Sequence, residues 1–142
     1  MNLDGCFEKR LLKRRRPDRL KSQKALEIAG EDIKDAERLL EHSFYKEVVL
    51  KAYTAMFQCA RAVLFRDGVF EKSHYCVIQY LSENYVKKGK LEQSYVHWLD
   101  TYRVARHEAL YGLEKADYSD TDASDALMKA KKFLKAFAKI AV

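Results

Sequence analysis

Turn formers are scarce in this chain. Pro17 is the only proline among 142 residues, and there are five glycines. That is too few for many short strands joined by tight turns, so helices are favoured. Cysteine is scarce too. Cys6, Cys59 and Cys76 form an odd, widely spaced set with no metal-binding spacing and no disulfide framework. Cys59 and Cys76 fall in apolar-periodic stretches and read as core thiols rather than nucleophiles, which suits a reducing cytoplasm. No apolar run approaches the ~18–20 residues of a membrane span, and residues 1–12 lack a signal-peptide core. A cytoplasmic protein away from the membrane is expected. Recurrent motif chemistry is missing as well: the chain has no GxxxxGKS/T loop, GxGxxG, HExxH or CxxC. The pairs His107–Glu108 and His97–Asp100 are too thin for a metal centre, so neither a metal nor a cofactor is expected.

What the chain does have is positive charge, unevenly spread. Its net charge is +6, yet the stretch from Lys9 to Lys24 holds nine Lys/Arg and one acid, Asp18. The remainder, 18 basic and 20 acidic groups out of totals of 27 and 21, is slightly negative. The basic character therefore belongs to the N-terminal segment and not to the body, so a global argument for nucleic-acid binding fails. Residues 1–16 read as a poorly ordered basic arm with a short helical piece around 6–12. The arm either sits in solvent or attracts phosphate. Residues 17–142 form the folded domain.

Apolar periodicity predicts five helices there. The first spans 18–42, with Pro17 at its start and Leu26, Ala29, Ile33, Ala36, Leu39 and Leu40 on one stripe; Gly30 suggests close packing. Ser43 is expected to cap the second, over 44–66, whose broad apolar face (Val48, Ala52, Ala55, Met56, Cys59, Ala60, Val63, Leu64) marks a central helix. Asp67-Gly68 ends it. After a short loop over 69–72, Ser73 caps a third helix running to 87, with Val77, Ile78, Leu81 and Tyr85 inward and Lys87-Lys88-Gly89 as the stop. The fourth covers 91–114, with Leu91, Tyr95, Trp98, Leu99, Tyr102, Ala105 and Ala109 inward. An Asp- and Ser-rich loop over 116–121 leads to the fifth, 122–140, with Ala126, Leu127, Ala130, Phe133, Leu134 and Phe137 inward. The fold class is all-α: an up-and-down antiparallel bundle of four to five helices.

The fourth helix carries the chemistry. Arg103, His107 and Tyr111 stand at i, i+4 and i+8 and form one stripe, with Arg106 and Leu110 beside it, on the side away from the apolar face. Glu108 is the only acid among residues 102–113, so the two arginines are not both neutralised on their own helix. Guanidinium forks match phosphate bidentately. A charged solvent-facing surface with Tyr111 packed at the helix end is the plainer alternative. His74, just after the Ser73 cap, fits either a local hydrogen bond or a cleft position; Tyr53 reads as core rather than ligand, and Trp98 as core or dimer interface.

Four segments, in order, resemble the HEPN superfamily of small helical domains over about 20–140. They are Lys51-Ala-Tyr-Thr-Ala-Met-Phe57 with Ala60 and Leu64; Asp67-Gly68 followed by Lys72-Ser73-His74; Arg103-Val-Ala-Arg106-His107-Glu-Ala-Leu-Tyr111-Gly112; and Asp122 through Ala126-Leu127 to Ala130-Lys-Lys-Phe133. The resemblance implies a bundle that often forms a homodimer, with arginine-motif helices flanking a cleft. It also implies a metal-independent endoribonuclease toxin paired with a minimal nucleotidyltransferase. By position Arg106 matches the family arginine, His107 its polar neighbour, and Tyr111 stands where active members have a histidine. Arg106, His107 and Tyr111 are thus the candidate catalytic set, and Arg103 and Arg106 the candidate phosphate binders for RNA or a nucleotide. A phenol, with an ordinary pKa near ~10, is a poor general base at neutral pH, whereas an imidazole, the side chain type at His107, is suited to that role. Phosphate binding without cleavage needs only the arginines. A non-enzymatic subunit that docks a nucleotidyltransferase fits the tyrosine better, and a DNA reader using the basic arm fits less well, since no helix-turn-helix is evident.

Overall fold

The most apolar helix sits at the centre. In the computed structural model, which describes residues 1–114 and 117–141, α3 (Tyr45–Asp67) buries residues on nearly every side, from Val48 to Phe65. A helix with apolar residues all round must be enclosed. It is enclosed by α2 (Arg19–Glu41), α6 (Asp120–Ala141) and α5 (Gln93–Tyr111). By length and composition α3 could cross a membrane, with mean hydropathy 1.3, but 67% of that stretch is buried against its neighbours. It reads as a core helix whose apolar run is broken in sequence by Lys51 and Arg61.

Specific contacts set the packing. Ser22 Oγ donates to the Ala62 carbonyl at 2.7 Å and ties α2 to α3. A Cβ added at Gly30 would stand 4.0 Å from Leu134 Cδ2, an ordinary contact, so the close packing suggested there is only that of neighbouring helices. Phe133 and Phe137 stack with ring centres 4.9 Å apart, and Tyr95 meets both edge-on at 5.2 and 5.9 Å. These rings join the first half of α5 to α6.

Helix ends follow the expected signals with local exceptions. Gly68 takes a left-handed conformation (φ 78°) after α3. Ser73 caps α4 (His74–Leu81), its hydroxyl accepting from the Cys76 N–H. Ser119 and Asp122 cap each other at the start of α6, a reciprocal pair that satisfies two otherwise orphan N–H groups. Ser43 does not cap α3. It adopts φ 63° in the turn between α2 and α3, and Phe44 takes the cap position without a side-chain bond. The third helix also changes character, α4 giving way to a π-helical turn over Ser82–Val86. Tyr80 and Tyr85 both donate to Asp67 Oδ2, pinning this region to the end of α3. The fourth helix is shorter than expected. The loop predicted over 116–121 begins outside the described residues, and within them only Asp117–Ser119 precedes α6.

The N-terminal segment departs most from expectation. In place of a free arm, Leu3–Glu8 forms α1 and Leu12–Arg14 forms β1, which pairs antiparallel with β2 (Val69–Glu71) where a loop was predicted. Leu12 is buried, Arg15 N–H donates to the Gly68 carbonyl at 2.7 Å, and Asp18 N–H donates to that of Phe65 at 2.9 Å. Gly68 is required here: a Cβ would stand 2.5 Å from the Arg15 carbonyl oxygen. The pairing carries α1 over α4, where Cys6 and Cys76, 70 residues apart, form a disulfide with Cα atoms 5.8 Å apart. Sequence separation had hidden this proximity. Cys76 is therefore not a free core thiol, and the cysteine count no longer argues for a reducing compartment. Cys59 is a buried free thiol, as expected, and burial pushes its pKa upward.

Candidate functional site

Tyr53, Phe57 and Arg61 follow one another at i+4 intervals along α3, and the start of α4 lies against them. The His74 ring stacks on Phe57 with centroids 3.8 Å apart, and its Nδ1 lies 2.7 Å from the Tyr53 hydroxyl. Ser73 caps the first turn of α4, and the imidazole that follows it is stacked on Phe57 and hydrogen-bonded to Tyr53.

Three guanidiniums act on this pair. Burial is the main cause lowering the His74 pKa, and the charges of Arg106, then Arg103, then Arg61 lower it further. Burial raises the Tyr53 pKa strongly, against an opposing pull from Arg106 and Arg103. At neutral pH the site therefore holds a neutral imidazole and a neutral phenol near three guanidiniums, of which Arg103 is paired with Asp100 and Arg61 with Glu71. With the Tyr53 hydroxyl donating to Nδ1, the neutral ring carries its one N–H proton on Nε2.

The fourth-helix stripe divides. Arg103 turns towards α4: its guanidinium lies 6.0 Å from the Tyr75 ring centre and bonds to Asp100 Oδ1 at 2.9 and 3.0 Å. Arg106 is half-buried and is the first-ranked charge acting on both His74 and Tyr53. Among the described residues no carboxylate forms an ion pair with it. His107 and Tyr111 lie outside this group. Their rings are 5.2 Å apart, both residues are exposed, and Tyr111 is not packed at the helix end. So Arg103 and Arg106 share a site with His74 and Tyr53, whereas His107 and Tyr111 sit beyond it near the end of α5.

His74 and Tyr53 were recognisable as residues but not as partners, because they lie on different helices. Arg61 was overlooked, although its i+4 register with Tyr53 and Phe57 was visible. Among the described residues no group of three or more His, Cys, Asp and Glu is placed to hold a metal ion.

Fold and site together define an all-α bundle with a guanidinium-flanked aromatic recess between its central helix and the start of α4. The HEPN domain family's sequence model matches residues 22–140, and the chain belongs to that family. It is 29% identical over 112 residues to a protein of Methanocaldococcus jannaschii named as a candidate toxin, covering 79% of this chain and 82% of the relative. A second candidate toxin of that organism is 27% identical over 118 residues, covering 79% and 80%. A UPF0332 protein of Pyrococcus horikoshii is 30% identical over 77 residues, covering 54% of each chain. This chain is thus a HEPN protein similar to proteins named as toxins.

Proposed function

We propose that this HEPN protein binds RNA or nucleotide phosphates at Arg103 and Arg106, in a cleft completed by a second copy, and acts as the toxin of a toxin–antitoxin pair. The observation that carries this reading is Arg106, a guanidinium without a carboxylate partner among the described residues, beside the neutral His74–Tyr53 pair. A half-buried cation left unpaired is costly, and an arriving phosphate removes that cost through bidentate bonds.

Cleavage of RNA at such a site needs no metal. A base takes the proton of the 2′-hydroxyl, the oxygen attacks phosphorus, the P–O5′ bond breaks, and the departing 5′-oxygen receives a proton. The arginines stabilise the charge of the phosphorane. His107 is the exposed base, and in a dimer it faces the cleft with Arg106 and Tyr111. The test is incubation of purified protein with structured and unstructured RNA in EDTA, beside binding of a labelled oligonucleotide by anisotropy. Arg106→Ala is expected to lose about ten- to a hundredfold in affinity, the worth of one charged hydrogen-bonded contact. His107→Ala is expected to abolish cleavage and leave binding. Wild-type affinity in Arg106→Ala overturns the phosphate site; intact RNA with wild-type protein overturns the ribonuclease.

A second reading has its own support. Tyr111 is 65% exposed, and by the family resemblance it stands at the position expected of a histidine. This favours a catalytically silent subunit that docks a minimal nucleotidyltransferase through the end of α5. Retained RNA binding without cleavage, together with a stable complex with such a partner, identifies that case.

A further inference from the structure

The row that builds the recess continues past it. Tyr53, Phe57, Arg61 and Phe65 stand at successive i+4 positions on α3, a span of ~18 Å at the helical rise. Tyr53 and Phe57 stack with centroids 6.1 Å apart, and the Arg61 guanidinium lies 5.0 Å from the Phe65 ring centre while its charge also reaches His74. Arg61 therefore belongs both to the recess and to what lies beyond it. There, α2, α3 and β2 enclose a groove of about 330 Å³, lined by Lys21, Lys24, Gln58, Arg61, Phe65 and Phe70 among others.

The lining combines cations with flat apolar faces. Phe65 and Phe70 meet edge to face at 5.1 Å, and the Lys21 ammonium lies 4.8 Å from the Phe70 ring centre. The acids are already engaged: Glu71 pairs with Arg61 at 2.8 Å, and Glu27 with Lys24 at 3.7 Å on the exposed rim. Lys21 has no carboxylate partner among the described residues. Both lysines come from the basic run of residues 9–24. Folding of the N-terminal segment onto β2 places the head of that run beside the groove, with Arg15 5.9 Å from the Phe70 ring centre.

A groove that alternates cations with aromatic faces suits single-stranded nucleic acid, whose phosphates follow the cations while its bases lie on the rings. An acidic peptide would use the cations and leave the ring faces idle. We infer that this groove is a second RNA subsite, holding the single-stranded segment that flanks the phosphate bound at Arg106. A base settling on Phe70 displaces the Lys21 ammonium, and the flexible four-carbon stem lets it swing to the adjoining phosphate. The inference rests on the reading of Arg103 and Arg106 as the phosphate site.

The test compares a 2′-O-methyl oligouridylate of about twelve nucleotides, long enough to fill such a track and lacking the attacking hydroxyl, with uridine monophosphate. Both are measured by competition anisotropy in EDTA. The expected result is that wild-type protein binds the long probe at least tenfold more tightly than the mononucleotide. The double variant Lys21→Ala/Lys24→Ala is expected to lose most of that length advantage, with a salt slope shallower by about 1.4, from ~0.7 per neutralised phosphate in a single strand. Both lysines are exposed, so the fold tolerates their loss. A double variant that keeps the full length advantage and salt slope overturns the groove, as does wild-type protein with no length advantage. If Arg106→Ala binds both probes as wild type does, the phosphate site itself is wrong. If Arg106→Ala weakens both probes while the lysine variant weakens neither, the phosphate site stands and the groove falls.

Discussion

Helices α3 and α5 are of similar length, 23 and 19 residues, and both mix arginines with aromatic side chains. Their environments are opposite. Along α3 apolar residues are hidden almost from end to end, and its polar residues are held at the edges. On α5 only Val96 and Leu99 are buried, and beyond Tyr102 every residue of the helix is half-buried or exposed. Val104, Leu110 and Tyr111 are exposed there, and Leu113 just past the helix is fully so. One helix spends its sequence on enclosure. The other leaves a guanidinium half-buried and an apolar tip exposed. Between them His74 on α4 touches the first and feels the charge of the second.

The largest effect tests the enclosure of α3. Met56 is completely buried, and Met56→Ala is expected to cost about 2–5 kcal/mol, the usual range for a core truncation of this size. Denaturant unfolding followed by circular dichroism measures it. A loss below about 1 kcal/mol would mean that α3 is not the rigid centre.

Next comes the clasp that holds α1 on α4. Cys6→Ser opens a 70-residue crosslink, with an expected cost of about 2–4 kcal/mol. A reductant should lower the melting temperature of the wild type but not that of the variant. Equal responses would show that the bond does not hold α4 in place.

A smaller effect should come from His74, the bridge between the helices. Its folded pKa lies below the ordinary 6.5. Above 6.5 both folded and unfolded chains carry it neutral. As pH falls through the window between 6.5 and the lowered value, only the unfolded chain takes the proton, so stability declines with falling pH. His74→Gln should flatten that decline in urea midpoints. An identical slope in the variant would detach His74 from the buried pair. A phosphate that binds better to the protonated folded form raises the folded pKa towards 6.5, so saturating phosphate should shrink the decline.

The smallest effect completes the contrast. Leu110→Ser with Leu113→Ser changes exposed positions, so the stability of the isolated chain should move by no more than about 0.5 kcal/mol. If this tip contacts a second copy, sedimentation should show a weakened dimer in the same variant. A large loss of stability at low protein concentration would instead place the tip inside the fold.

Much of this was readable from the chain. The four long helices and the shorter α4, the αL stop at Gly68, the Ser73 cap and most inward faces follow from period and capping chemistry, which depend on near neighbours. That the two arginines are not both neutralised on their own helix was legible; which one is paired was not, and it is Arg103, bonded to Asp100. Their division from His107 and Tyr111 was not legible either, because neighbouring positions on one helix can face different surroundings. The partners of His74 lay on another helix, and the β1–β2 pairing and the disulfide join residues far apart in sequence.

By itself, then, the sequence determined the elements: which stretches are helical, which faces are apolar, and where cations outnumber acids. The tertiary structure alone decided what those elements meet. It folded the basic run onto β2, closed Cys6 on Cys76, and set Arg106 beside a neutral imidazole. The physical reason is range. Helix periodicity and capping act over a few residues, whereas burial, pKa and pairing depend on distances in space that chain separation does not report.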